Sequence, residues 1–206
     1  MRYAPAASIL FLGLLTAYAD SNRDSVTRGV ASDLSYLKDL YTYLHSNPEL
    51  SHLEEKTAGR VASELKNAGY EVTMKVGGHG VVGVLKNGPG PVVLLRTDLD
   101  ALPVKEQTGL SYASTRTQKD ITGETVSVMH ACGHDMHMTS TLGAARFLAK
   151  NKALFKGTVV VIGQPAEERG AGARAMLKDG LFSRFPRPNY CLALHVDSDL
   201  EAGRIA

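Results

Sequence analysis

Apolar residues in the first quarter of the chain recur at steps of three and four. Val30, Leu34, Leu37, Leu40, Tyr41 and Leu44 share one face of a helix over 27–45. Asn47-Pro48 stops it, because the residue before a proline is driven out of helical dihedrals. Ser51 and Glu54 have the spacing of a capping box, so a second helix is expected from there to Ala68, closed by Gly69. The period then shortens. Residues 71–76 and 81–85 read as strands joined across Gly77-Gly78-His79-Gly80, which lacks the order of a phosphate loop and serves as a hairpin connection. Three later runs, 91–95, 158–162 and 190–194, are continuously apolar, as strands buried on both faces are. Helices fit 139–150, with Leu142, Ala145, Phe147 and Leu148 on one face, and 170–180. The alternation predicts an α/β fold: a mainly parallel mixed sheet flanked by helices, built with right-handed crossovers. Residues 104–128 have little periodicity and read as a long loop over a site.

Each of the three apolar runs ends in ionisable residues: Asp98 and Asp100, Glu167 and Glu168, and His195. Ligands in open α/β sheets gather at the carboxyl ends of strands. Between the first and second runs lies 129–138, M-H-A-C-G-H-D-M-H-M, with three of the chain's seven histidines and one of its two cysteines. Cys132 and His134 flank Gly133, whose freedom permits a turn that brings both to one ion. Thiolate with imidazole suits zinc or a similar divalent metal. Cys132, His134, Glu168 and His195 are therefore the candidate metal ligands.

Adjacent acids do not both easily bind one ion, so Glu167 is the candidate general base, taking a proton from water and returning it to a leaving amine. The implied chemistry is metal-assisted amide hydrolysis, and a bridging Cys132 thiolate can hold two ions about 3.5–4 Å apart. Asp98 and Asp100 are candidates to support ligands or meet substrate. His45, Glu49 and His52 read as structural or surface groups, and His130 and His137 as supporting ones. Two other readings stay open: Cys132 as a nucleophile activated by a histidine, and a non-catalytic metal-binding module.

The length suits one domain, and the net charge of +2 gives no electrostatic case for nucleic acid. Residues 1–19 have the form of a secretory leader: a short basic start, an apolar run over 6–15 and Ala17-Tyr18-Ala19 as cleavage site. That run is too short to span a bilayer, so no stable membrane anchor is expected. Residues 20–26 read as a polar lead-in and 27–206 as the catalytic domain, working outside the cytoplasm, periplasmic or secreted. No disulfide is expected, because a ligating Cys132 is not free to pair; Cys191 reads as packing inside a buried strand.

Ordered motifs carry a family resemblance: L-H-S-N-P-E-L-S at 44–51, R-T-D-L-D-A-L-P at 96–103, M-H-A-C-G-H-D-M-H at 129–137, Q-P-A-E-E at 164–168 and A-L-H-V at 193–196. The chain resembles the amidohydrolase branch of the zinc aminoacylase/carboxypeptidase family, which includes hippurate hydrolases and auxin-conjugate hydrolases. The resemblance implies a zinc-exopeptidase-like catalytic domain and two divalent metal ions, with zinc, manganese, cobalt and nickel not distinguished. It implies N-acyl amino acids or related amides as substrates. Cys132, His134, Glu168 and His195 match metal ligands, Glu167 matches the general base, and Arg96 stands where other branches have a histidine. It further implies that a lid domain, a pairing of two copies through that lid and one more histidine ligand belong to sequence beyond Ala206, so the chain is expected to be the N-terminal part of the catalytic unit.

Overall fold

A computed structural model describes the backbone of residues 6–201 and 203–205, with side chains from Asn22 onward, residue 202 excepted. The leader expected over 1–19, including its cleavage site, lies outside the residues whose side chains are described. In order, the elements are α1 (Ala6–Ser46), α2 (Glu55–Asn67), β1 (Glu71–Met74), β2 (Val81–Asn87), β3 (Val92–Asp98), β4 (Thr117–Lys119) and β5 (Thr125–Ser127). There follow α3 (His134–Lys150), a short 3-10 turn (Lys152–Leu154), β6 (Gly157–Gln164), α4 (Gly172–Lys178), α5 (Leu181–Arg184) and β7 (Tyr190–Ala193). The polar segment 20–26 is part of α1. Among the described residues, no helix is long and apolar enough to cross a membrane.

The main sheet has the order β1-β2-β6-β3-β7. β2 runs antiparallel to both its neighbours, while β6, β3 and β7 pair in parallel. Four of the five strands therefore point one way, giving the mainly parallel mixed sheet expected. β6 is central, and its alternation explains why Val159–Ile162 are all apolar. Val159 and Val161 face a core made with Leu40 and Leu44 of α1, Val61 and Leu65 of α2, and Met138 and Leu142 of α3. Val160 and Ile162 face the other side, against Met176 of α4 and Leu181 of α5. Both faces are covered, so the run stays apolar from Val159 to Ile162.

Three expectations are corrected. Cys191 and β7 are exposed, not buried: β7 is an edge strand paired only with β3, and Tyr190 and Leu192 are 64% and 59% accessible. Ser51 and Glu54 form no capping box. α2 starts at Glu55 without a side-chain cap bond, and both side chains reach distant partners instead. The 104–128 segment is not wholly irregular; it carries the small β4–β5 hairpin.

Candidate metal centre

β3, β6 and β7 deliver Asp98, Glu167 and His195 to the same end of the sheet because they are parallel and in register, Arg96 lying beside Ile162 on one side and Ala193 on the other. The Leu99 amide donates to the Gln164 carbonyl at 3.0 Å and holds the first two strand ends together. Residues 131–133 make the tight turn expected around Gly133, and 134–138 are the first residues of α3. Gly133 caps the helix at φ 77, and a Cβ there would lie 2.4 Å from Val196. Only glycine lets the helix start this close to the β7 strand end.

His134 is the hub. Its atoms and those of Cys132 and His195 lie within 4.8 Å of one another; the same holds for His134 with Glu167 and Glu168, and for His134 with Asp98 and His137. Its Nδ1 donates to the Asp100 carbonyl at 2.7 Å, which fixes the tautomer and leaves a lone pair on Nε2. That nitrogen stands 3.8 Å from Glu167 Oε2 and 3.7 Å from Glu168 Oε1, too far for hydrogen bonds. Neither His134 Nε2 nor Glu168 Oε1 has a hydrogen-bond partner, although both are shielded from solvent. His195 is set up alike. Its Nδ1 donates to the Val196 carbonyl at 2.6 Å, and its Nε2 faces Cys132 Sγ at 3.4 Å. Nitrogen, oxygen and sulfur donors converging within this distance fit a borderline divalent cation.

The electrostatics agree. Burial, with Glu167 and Asp100 adding to it, pushes Asp98 up to about 6 against the opposing charges of Arg96 and His134. Burial pulls the His134 pKa down, but the hydrogen bond it donates to Asp100 and the charge of Asp98 outweigh it and raise the pKa overall. The pocket thus favours positive charge. Burial, then Glu168, pushes the Cys132 thiol up to about 11. A free nucleophilic cysteine and a ligating one both need the reverse shift, which a bound divalent cation would supply.

Asp98 and Asp100 lie beside the candidate ligands. Asp98 pairs with Arg96. Asp100 accepts from the Ser51 hydroxyl at 2.6 Å and from the Glu168 amide at 3.0 Å. His137, neutral because burial and then His195 hold its pKa near 4, accepts the Val196 amide at 2.9 Å and so braces the residue after His195. His130 is buried without partners on either nitrogen, and burial holds its pKa down at about 3. A cleft of about 300 Å³ opens beside Glu168, walled by Leu50, Leu53, Leu102 and Ile121 and by the charged Lys119, Asp120 and Arg169.

His45, expected to be a structural or surface group, proves to be a buried structural tie. Its Nδ1 bonds Asp135 Oδ2 at 2.7 Å and its Nε2 bonds Glu106 Oε1 at 3.0 Å, joining α1, the 104–128 loop and the start of α3. Burial lowers its pKa, but the hydrogen bonds to Glu106 and Asp135 outweigh it and raise it. A raised histidine contributes stability that is fully present below its unfolded value of about 6.5 and is lost as pH rises through the folded value. The melting-temperature difference between wild type and His45→Gln should accordingly be largest below about pH 6.5 and shrink as pH rises. A pH-independent difference in differential scanning calorimetry would contradict this.

The fold and the cluster define a class: α/β proteins with a candidate metal centre at the carboxyl ends of parallel strands. The chain belongs to peptidase family M20/M25/M40, whose sequence model matches residues 94–206. It is 48% identical over 143 residues to the hippurate hydrolase of Campylobacter jejuni, covering 69% of this chain and 34% of that one. It is 37% identical over 163 residues to IAA-amino acid hydrolase ILR1-like 5 of Arabidopsis thaliana, covering 79% and 35%. A solved structure from Bacillus subtilis, a dinuclear metal binding peptidase from the M20 family, superposes with a TM-score of 0.64 at 38% identity, covering 72% and 40%. The chain thus spans about a third of the length of the curated relatives it matches.

Proposed function

We propose that the protein is a divalent-metal-dependent amidohydrolase acting on N-acyl amino acids or related amides, with Glu167 as general base. One observation carries the reading: the buried His134 Nε2 lone pair, which lacks a partner and faces two carboxylates at 3.7 and 3.8 Å. Cys132, His134, Glu168 and His195 would hold the metal, with Cys132 bridging where two ions are bound. The hydrolase relatives and the dinuclear Bacillus protein support this assignment. When bound, a divalent cation supplies Lewis acidity, polarising the amide carbonyl and acidifying water.

The two acids divide the remaining work by exposure. The Glu168 side chain is 19% accessible, and the residue's amide is tied to Asp100. The Glu167 side chain is 37% accessible, open to water and substrate. Glu167 takes a proton from the attacking water on a carboxylate oxygen and delivers it to the departing amine nitrogen. Arg96 holds Asp98, and Asp100 fixes the His134 tautomer through its carbonyl. The cleft beside Glu168, part apolar and part charged through Lys119, Asp120 and Arg169, suits an N-acyl amino acid. We read 1–19 as a leader, which would place the enzyme outside the cytoplasm.

The test is hydrolysis by the full-length gene product of acetyl, benzoyl and indole-acetyl amino acids, followed by release of the free amino acid. Turnover of at least one series is expected. A product that binds divalent metal and releases nothing from any series is a binding module and contradicts the proposal.

A further inference from the structure

Among the described residues, three that are not glycine have φ in the left-handed region: His52 at 70°, Lys75 at 62° and Ala166 at 47°. Such a conformation costs roughly 1–2 kcal/mol for a residue with a Cβ. It persists where the surroundings over-determine it. One atom engages two of the three. Glu54 Oε1 accepts the His52 amide at 2.9 Å and the Ala166 amide at 2.7 Å. Ala166 immediately precedes Glu167, and its carbonyl is held from the other side by the Ala171 and Gly172 amides at 3.1 and 3.2 Å. Both backbone groups of the elbow are therefore fixed, and the turn they fix aims Glu167 and Glu168 at His134.

A simpler role for Glu54, capping α2, does not fit. The helix makes no side-chain cap bond to it, and the Thr57 amide is taken by Glu49 at 2.7 Å. The position is also costly. Glu54 is fully buried, its Oε2 has no hydrogen-bond partner, and Asp100 adds like charge nearby. An unpaired buried carboxylate oxygen carries a desolvation penalty that packing alone would not retain.

We propose that Glu54 is the positioning residue of the general base: its carboxylate oxygen pins the Ala166 amide, holds the elbow in its left-handed turn and so aims the Glu167 carboxylate. This rests on the reading of Glu167 as base. Gln at 54 keeps the accepting oxygen and its reach. Asp keeps the charge and loses the reach. Positioning through the acceptor thus ranks Gln above Asp, whereas a role for the charge ranks Asp above Gln.

The experiment compares Glu54→Ala, Glu54→Gln and Glu54→Asp in the full-length gene product by amide hydrogen exchange and by steady-state kinetics. In Glu54→Ala the His52 and Ala166 amides should lose protection together, while the Val160 and Val161 amides of β6 keep theirs. The kcat should fall about 100-fold with KM little changed, since misplacing a reacting group by about 1 Å costs that much. Glu54→Gln should retain most of kcat and Glu54→Asp should not, and this pair decides the matter where Glu54→Ala fails to fold. Unchanged Ala166 protection in Glu54→Ala, or Asp outperforming Gln, overturns the proposal. Normal kcat in Glu54→Ala alongside an inactive Glu167→Gln overturns the positioning role alone. Activity indifferent to Glu167→Gln overturns the base assignment, and the exchange arm then still decides whether Glu54 pins the elbow.

Discussion

Glu167→Gln is expected to lower kcat by about 10²–10⁴-fold, the range a positioned general base contributes, with KM and bound metal close to wild type. Glutamine fills the same volume and keeps one accepting oxygen, but it has no basic lone pair to take a proton from water. The elbow should survive, because it is held through the Ala166 amide and carbonyl rather than through the side chain of 167. Glu168→Gln should behave differently. Its side chain is the more enclosed of the two, and its loss should appear first as lost metal. Steady-state kinetics with metal analysis of both variants separates the two acids. Equal kcat losses at equal metal depletion would contradict the division proposed here.

His134→Ala should lower the affinity for divalent metal by more than about 100-fold, since losing only a partner of a ligand already costs 10–100-fold. His134 belongs to every candidate ligand group found among the described residues, so no remaining pair of donors repeats its position. Asp100→Asn is the control. The bond that fixes the His134 tautomer runs to the Asp100 backbone carbonyl and survives the substitution; the contacts to Ser51 and Glu168 change, and the carboxylate charge 3.6 Å from His134 Nδ1 is lost. Its cost should be nearer about 10-fold, the lower end for a supporting residue. Calorimetric titration of the stripped variants with Zn²⁺ reads both, and Zn²⁺ affinity unchanged in His134→Ala would remove this residue from the centre.

The strand ends were legible because two-sided burial leaves a strong mark. Residues 159–162 admit no polar side chain while both faces are covered, so Glu167 and Glu168 stand out where the cover stops. The same logic misread 190–194. An apolar run signals surface to be covered, and the described residues leave β7 exposed at the sheet edge. The supports of the site were invisible for a different reason. Ser51 and Glu54 have a spacing that suits a local cap, but their partners Asp100 and Ala166 lie 49 and 112 residues away. His45 likewise meets Glu106 and Asp135 across 61 and 90 residues. Periodicity and local spacing report on an element's own faces; they carry nothing about contacts made by chain folding. The strained φ of Ala166 also left no trace, since alanine is not a residue that advertises a left-handed turn.

The central claim is that metal held by Cys132, His134, Glu168 and His195 makes amide hydrolysis possible. Its most direct test is to strip the full-length gene product of metal with a chelator, remove the chelator, and follow hydrolysis of an N-acyl amino acid as Zn²⁺, Mn²⁺, Co²⁺ or Ni²⁺ is returned. Activity should vanish on stripping and return with at least one of these ions, in wild type but not in His134→Ala. Hydrolysis that continues undiminished in verified metal-free protein would contradict the account.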